Sequence, residues 1–222
     1  MSFADLAAKF EKWALSSYES VTIKNHIDEL QFGDIILVRH HMFSPVGWII
    51  QLILREAFSH AALYVGNGRV FEATGKNVDF ADLAETYINS KICVLRLKEG
   101  LTMEDKAYIR DMIARLRGKK YDYICVASMI VFVFMFRMGL ARKEARKYRN
   151  PLDDPNTFYC FQLVAYIYDF KHLLKVDFSN AIGSDFYTCK KLDIIFNDLN
   201  MPLHPSDLDL LKKKRGSNKI SS

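Results

Sequence analysis

The sequence has few cysteines, and their spacing does not suggest that they act as a group. The four thiols lie about thirty residues apart, so no Cys-x-x-Cys pair is present to hold a zinc ion or to form a redox couple. A Gly-rich phosphate loop, a His-Glu-x-x-His helix and an acidic calcium loop are also missing. The sequence therefore predicts neither a metal site nor a cofactor site. The cysteines are Cys93, Cys125, Cys160 and Cys189.

Long apolar stretches are also scarce. The stretch YICVASMIVFVFMF at residues 123–136 has about fourteen residues, whereas a membrane-spanning helix needs roughly twenty. We therefore expect a buried helix here, with peripheral membrane contact as the alternative. Residues 1–20 lack the charged start and apolar centre of a signal peptide. Their apolar spacing instead predicts an amphipathic helix over residues 3–18, and a cytoplasmic location with free thiols is the expectation.

The positive charge is modest and unevenly placed. The net charge is +5, and much of the excess lies in two clusters, at residues 137–149 and 212–215. Such clusters are most often solvated helix faces or tails, but they can also meet phosphate on nucleic acid or on an anionic lipid surface. Nucleic-acid binding would need basic residues interleaved with exposed aromatics, and the sequence does not show that arrangement, so no nucleic-acid partner is expected.

The predicted elements run from strands to helices. A strand is predicted at residues 33–39, a hairpin at 59–72 and a further strand at 92–97, followed by helices at 102–117, 123–138 and from about 157 onward. Shorter helical segments are predicted at 46–56 and 80–87. This order favours an α+β domain with an antiparallel sheet and helices on one side of it. The predicted organisation is an N-terminal helical extension (1–25), one domain (26–200) and a basic, flexible tail (201–222).

The stretch SHAALYVGNGRVFE at residues 59–72 predicts a hairpin, because Gly-Asn-Gly accepts the positive φ of a tight turn. His60 would lie on its first strand and Glu72 on its second. With a three-residue loop, the two side chains share a face of the sheet. With a two-residue loop, Glu72 would point to the opposite face. Sequence alone leaves both registers open, and an ordinary hairpin with a half-exposed His and a solvated Glu is the simpler interpretation.

Cys160 stands at the predicted start of a helix, where PNT precedes it and apolar residues follow with helical period. The backbone N–H groups and the helix dipole at such a position stabilise a thiolate, and they can hold the oxyanion that forms when a carbonyl is attacked. Most cysteines are small buried hydrophobes, so a nucleophile also needs a base and an orienting group. Of the adjacent pair His40 and His41, at most one could line a cleft, and surface positions are favoured for both.

Three motifs resemble those of a known family. GDII at residues 33–36 is similar to its opening strand, SHAALYVGNG at 59–68 to its catalytic-His hairpin, and YCFQLV at 159–164 to its nucleophile helix. Together they resemble the circularly permuted branch of the NlpC-like papain-fold cysteine hydrolases, which includes the YiiX-like enzymes and the lecithin:retinol acyltransferase family. The resemblance covers roughly residues 31–190.

This resemblance implies a permuted papain-like fold, in which the sheet carries His60 and Glu72 and the helix that begins at Cys160 packs on it. It also implies that these three residues form a catalytic triad. A Glu in the third position is more similar to the YiiX-like proteins than to the acyltransferases, where a second His is usual. YDY at residues 121–123 is YiiX-like as well, whereas Phe161 and Gln162 depart from the small or acidic residues that often follow the nucleophile.

The function implied is a thiol-dependent hydrolase or acyltransferase that cleaves an amide or ester bond through a thioester. Both a peptide and an acyl lipid fit as substrate. The apolar stretch and the basic clusters favour an acyl lipid or a membrane-proximal substrate, and the lack of an export signal disfavours cell-wall hydrolysis. The alternative is a catalytically inactive binding or structural protein on the same fold, which would contact a membrane or a protein partner.

Overall fold

The structure, a computed structural model, describes four stretches of the chain: residues 23–39, 57–87, 90–138 and 146–198. Several sequence predictions lie outside these residues. They are the leading helix at 3–18, the short helix at 46–56, the pair His40 and His41, and the tail at 201–222.

An antiparallel sheet forms the centre of the described residues. Its six strands lie in the order β4-β3-β2-β1-β5-β8, and each neighbouring pair is antiparallel. Two short strands, β6 and β7, pair in parallel outside this sheet. The strands are β1 (Ile35–Arg39), β2 (His60–Gly66), β3 (Arg69–Ala73), β4 (Val78–Asp82), β5 (Lys91–Leu97), β6 (Lys120–Tyr121), β7 (Thr157–Phe158) and β8 (Leu192–Asn197).

The helices lie mostly after the first five strands. They are α1 (Leu83–Thr86), α2 (Met103–Leu116), α3 (Tyr123–Arg137), α4 (Cys160–Ile167) and α5 (Gly183–Tyr187), with 3-10 turns at Ile23–Glu29, Asp169–Lys171 and Phe178–Asn180. The α+β class and the antiparallel sheet are therefore confirmed. The strand β8 departs from the predicted order, because it follows the helices and returns to pair with β5.

One predicted element is wrong in part. Residues 80–87 were expected to be helical, but Phe80 lies in β4, where it pairs with Phe71 of β3. The helix begins only after Asp82, whose carboxylate accepts a hydrogen bond from the backbone N–H of Glu85 at 2.9 Å. This N-cap sets the boundary between strand and helix. At α2 the prediction holds, since Thr102 forms a capping box with Asp105.

Helix α4 packs against β2 and β3 over the main hydrophobic core. Leu163, Val164 and Ile167 of the helix are completely buried there, against strand residues such as Ala61 and Leu63. Burying side chains of this size stabilises a fold by about 1.5–3 kcal/mol each. This contact fixes the start of α4 relative to the first residues of β2.

The register of the β2–β3 hairpin places His60 and Glu72 on one face. Ala62 pairs with Glu72 and Leu63 pairs with Phe71. Because side chains alternate along a strand, His60 lies on the same face as Ala62 and therefore as Glu72. This register is equivalent to the three-residue loop considered from the sequence.

The chain forms this register with a two-residue turn and a bulge, and not with a three-residue loop. The turn itself has two residues, Asn67 (φ +53°) and Gly68 (φ +70°), and positive φ at both is typical of a type I′ hairpin turn. Alone, such a turn would have put Glu72 on the opposite face. A bulge between Tyr64 and Gly66 adds Val65 as an extra residue and restores the shared face.

The prediction that residues 123–136 form a buried helix is wrong in part, because α3 is present but only one side of it is buried. One side of it packs on the core, where Cys125 and Val126 are buried and Phe132 is half-buried. The other side is open, and the Val131 side chain is 56% exposed. None of the helices in the described stretches has the length and apolar character needed to cross a membrane.

The bulge yields a prediction about stability. Gly66 has φ +97°, and a Cβ placed there would meet no atom within 4 Å, so substitution introduces backbone strain without a clash. We expect Gly66→Ala to lower the free energy of unfolding by about 1–2 kcal/mol, measured by urea denaturation. Gly66→Asn should lose less, because Asn tolerates positive φ better. Equal stability of wild type and both variants would contradict this backbone geometry.

Candidate functional site

His60 and Glu72 form the centre of the site. The imidazole Nε2 lies 2.6 Å from Oε2 of Glu72, and the two side chains are only 12% and 4% exposed. A hydrogen bond between a buried carboxylate and an imidazole fixes the ring orientation and favours the charged ring. Since Nε2 is held by Glu72, Nδ1 is the nitrogen left to exchange a proton with another group.

Tyr87 supports the carboxylate from the far side. Its hydroxyl, at the end of α1, donates a hydrogen bond to the same Oε2 atom of Glu72 that His60 contacts. The Tyr87 side chain is buried, and burial together with the charge of Glu72 raises the pKa of its hydroxyl well above the ordinary value. Tyr87 therefore stays protonated and donates a hydrogen bond to the carboxylate. The sequence does not predict Tyr87 as a site residue, because no local pattern connects residue 87 with residue 72.

Cys160 is the first residue of α4 and is 4% exposed. An α-helix leaves its first N–H groups without an intrahelical acceptor, so the thiol lies beside free donors and the positive end of the dipole. Gln162 holds this helix start: its Oε1 accepts from the Tyr159 N–H at 3.3 Å, and its Nε2 donates to Asp153. Gln162, which departs from the family pattern, thus has a structural role.

The structure brings the Cys160 thiol to the His60 imidazole. Burial disfavours the charged ring, but charge and hydrogen-bond interactions with Cys160, and then with Glu72, outweigh it and raise the pKa of His60 to about 10. The three residues predicted from the sequence therefore interact in one chain, from Cys160 through His60 to Glu72. Such an arrangement can take up and return a proton at the thiol.

Tyr121 of β6 is a further neighbour of the thiol. Burial, followed by charge and hydrogen-bond interactions with Cys160, raises the pKa of its hydroxyl far above the ordinary value. The hydroxyl therefore stays protonated beside the sulfur. The pairing of β6 with β7 positions it, because Tyr121 is opposite Phe158, two residues before Cys160. The YDY motif was noted in the sequence, but nothing there assigned Tyr121 to the site.

The sheet lies between Glu72 and the helix that begins at Cys160. Ala61 belongs to the core beneath α4, whereas Ala62 belongs to the second hydrophobic cluster on the other face. Glu72 pairs with Ala62 and therefore lies on the face away from α4. His60 is the first residue of β2, and its ring links the two sides at the strand end, where it meets both Glu72 and Cys160.

Among the described residues, one group has the donor atoms for a metal ion: Asp122, Cys125 and Asp153. The hydrogen bonds of these three residues account for their close grouping without a bound ion. Asp122 accepts from the Cys125 N–H and the Thr157 hydroxyl, and Asp153 accepts from Gln162 and Arg149. Burial, with the nearby carboxylates, raises the pKa of Cys125 to about 12. The group therefore acts as the N-cap of α3 and the support of α4.

No protein-family model matches the chain, and no curated protein sequence matches it. Among solved structures, the chain is similar to the crystal structure of the metalloprotein yiiX from Escherichia coli O157:H7. The identity is 22%, the match covers 75% of this chain and 97% of that one, and the TM-score is 0.46.

The His60–Glu72 contact predicts the direction of a titration. Because the carboxylate favours the imidazolium, Glu72→Gln should lower the pKa of His60 by about one to three pH units, followed by NMR of the ring protons. The exposed Glu104 provides a matched control, since Glu104→Gln removes the same charge far along the chain from this site. An unchanged His60 titration in Glu72→Gln would show that another group holds the imidazole.

Proposed function

We propose that the chain is a thiol-dependent hydrolase or acyltransferase on a permuted papain-like fold. The observation that carries this proposal is the position of His60, which interacts with Glu72 on one side and with the Cys160 thiol on the other. In chain order the base and its orienting residue come first and the nucleophile about a hundred residues later, which is the order of the permuted branch.

The reaction begins with proton transfer. Nδ1 of His60 takes the thiol proton, and the resulting imidazolium is stabilised by Glu72. The thiolate attacks an amide or ester carbonyl, forming a carbon–sulfur bond and a tetrahedral oxyanion. The imidazolium then gives its proton to the departing amine or alcohol as the original bond breaks, which leaves a thioester on Cys160.

Two sets of donors suit the oxyanion of this reaction. The first backbone N–H groups of α4 lie beside the sulfur, and the Tyr121 hydroxyl is a neutral donor in the same place. Donors fixed before the reaction, in a site that excludes water, stabilise developing charge strongly. His60 then activates water, or an amine or alcohol acceptor, to resolve the thioester. Water gives hydrolysis and another acceptor gives acyl transfer.

The role of Glu72 is orientation rather than proton transfer. Its carboxylate fixes the ring so that Nδ1 faces the sulfur, and Tyr87 fixes the carboxylate. Both a peptide and an acyl lipid contain the carbonyl that this chemistry needs, and both remain candidate substrates. The second candidate function is a catalytically inactive binding protein on the same fold, in which Cys160 would be an ordinary buried thiol.

The reactivity of the four cysteines separates the two functions. Exposure alone would rank Cys189 first, because it is half-buried while the other three are buried. If Cys160 is activated by His60, it should instead react faster than Cys189. We expect iodoacetamide at neutral pH to modify Cys160 about tenfold faster than Cys189, measured by peptide mass spectrometry over a time course.

The internal control is Cys189 itself. In His60→Ala, modification of Cys160 should slow while the rate at Cys189 stays unchanged, which also shows that the variant has kept its fold. If Cys189 reacts fastest in the wild type, Cys160 is not activated and the inactive binding protein is the better account.

A further inference from the structure

The open side of α3 carries a continuous apolar stripe. Ile124, Val131, Met135 and Met138 are 66%, 56%, 40% and 62% exposed, and the small residue Ala127 is exposed between the first two. The spacing of three or four residues puts Ile124, Ala127, Val131 and Met135 on one side of the helix, and Met138 directly follows its last residue. We call these residues the α3 stripe. Tyr123 at the start of the helix is also 60% exposed.

The stripe has the composition of a lipid-facing surface. No charged residue occurs from Tyr123 to Phe136, whereas the exposed side of α2 carries acidic and basic side chains in alternation. A helix of 15 residues is about 22 Å long, which is too short to cross a bilayer but long enough to lie in the interface. Exposed Met, Val and Ile side chains in one row are the surface that such a helix buries among lipid chains.

The basic residues that follow α3 favour a membrane with anionic lipids. Residues 137–149, which overlap the end of the stripe at Met138, contain six Arg or Lys residues and one Glu. Two of the six are occupied within the fold, because Arg146 binds Asp185 and Arg149 binds Asp153. Lys147, which also belongs to this segment, is exposed. A cluster of this kind beside an apolar helix fits anionic phospholipid headgroups.

We propose that the α3 stripe docks the protein on an anionic phospholipid bilayer. The helix lies in the plane of the interface, with the stripe among the acyl chains, and the positive charge in the sequence of residues 137–149 favours anionic headgroups. The helix begins two residues after Tyr121, which interacts with the Cys160 thiol, so the docked surface starts beside the candidate site. Docking itself requires no catalysis and is measured without it.

The test uses the full chain and sedimentation with vesicles. The probe vesicles are phosphatidylcholine alone and phosphatidylcholine with phosphatidylserine. We expect the wild type to bind the anionic vesicles and to bind the neutral ones more weakly. Val131→Glu with Met135→Glu should lower binding by more than about tenfold, because it removes two apolar side chains and adds like charge.

The matched control makes the same change of charge and polarity elsewhere. Met103→Glu with Ile195→Glu alters two exposed apolar residues on α2 and β8, and its binding should equal that of the wild type. Thermal melts of both pairs check folding, and Val131→Ser with Met135→Ser supplies a variant without added charge. The positions are exposed, so all three pairs should melt near the wild type.

Three results would overturn the proposal. The wild type could fail to sediment with anionic vesicles, or both stripe variants could bind them as well as the wild type does. Alternatively, light scattering without lipid could show that the wild type is a dimer and the stripe variants are monomers, in which case a second copy covers the stripe. Since none of these measurements involves the thiol, loss of docking and loss of the proposed activity remain distinguishable.

Discussion

The hydrogen bond between His60 and Glu72 depends on a single extra residue in one strand. A two-residue turn at Asn67 and Gly68 would by itself direct Glu72 away from the imidazole, and the bulge at Val65 returns it to the same face. The orientation of the His60 ring depends on this contact, whereas Tyr121 and the first N–H groups of α4 lie beside the Cys160 thiol itself. The ring orientation that leaves Nδ1 for the thiol, and the charge that favours the imidazolium, both follow from the register of the hairpin.

The second requirement is the placement of Cys160, the candidate nucleophile, and packing of α4 on the core supplies it. Helix α4 is held to β2 and β3 by buried aliphatic side chains, and its first turn is fixed by Gln162 and Asp153. Burial also explains the electrostatics, because charges interact strongly where water is excluded. Burial alone would lower the pKa of His60, yet the neighbouring groups raise it to about 10, so the imidazolium is the form that the site favours.

Sequence predicts those parts of this site that depend on neighbouring residues, and it does not predict those that depend on tertiary packing. Helix α2, the start of α4 at Cys160 and the Gly-Asn-Gly hairpin arise from local patterns, and the structure has them where they were predicted. The bulge is not encoded by a comparable pattern, so the register stayed open until the structure set it. Tyr87 and Tyr121 reach the site through tertiary packing. The exposure of Val131 was predicted wrongly, because apolar residues in a short helix suit a core and a lipid interface equally.

The most direct test of the central claim is to trap the acyl group on the sulfur. The protein would be mixed with a p-nitrophenyl ester, quenched in acid and digested, and the masses of the four cysteine peptides compared. The account predicts that the acyl mass appears on Cys160, together with a burst of p-nitrophenol close to one equivalent, and that both are strongly reduced in His60→Ala. An acyl group found mainly on Cys189, or equal labelling of Cys160 with and without His60, would contradict it.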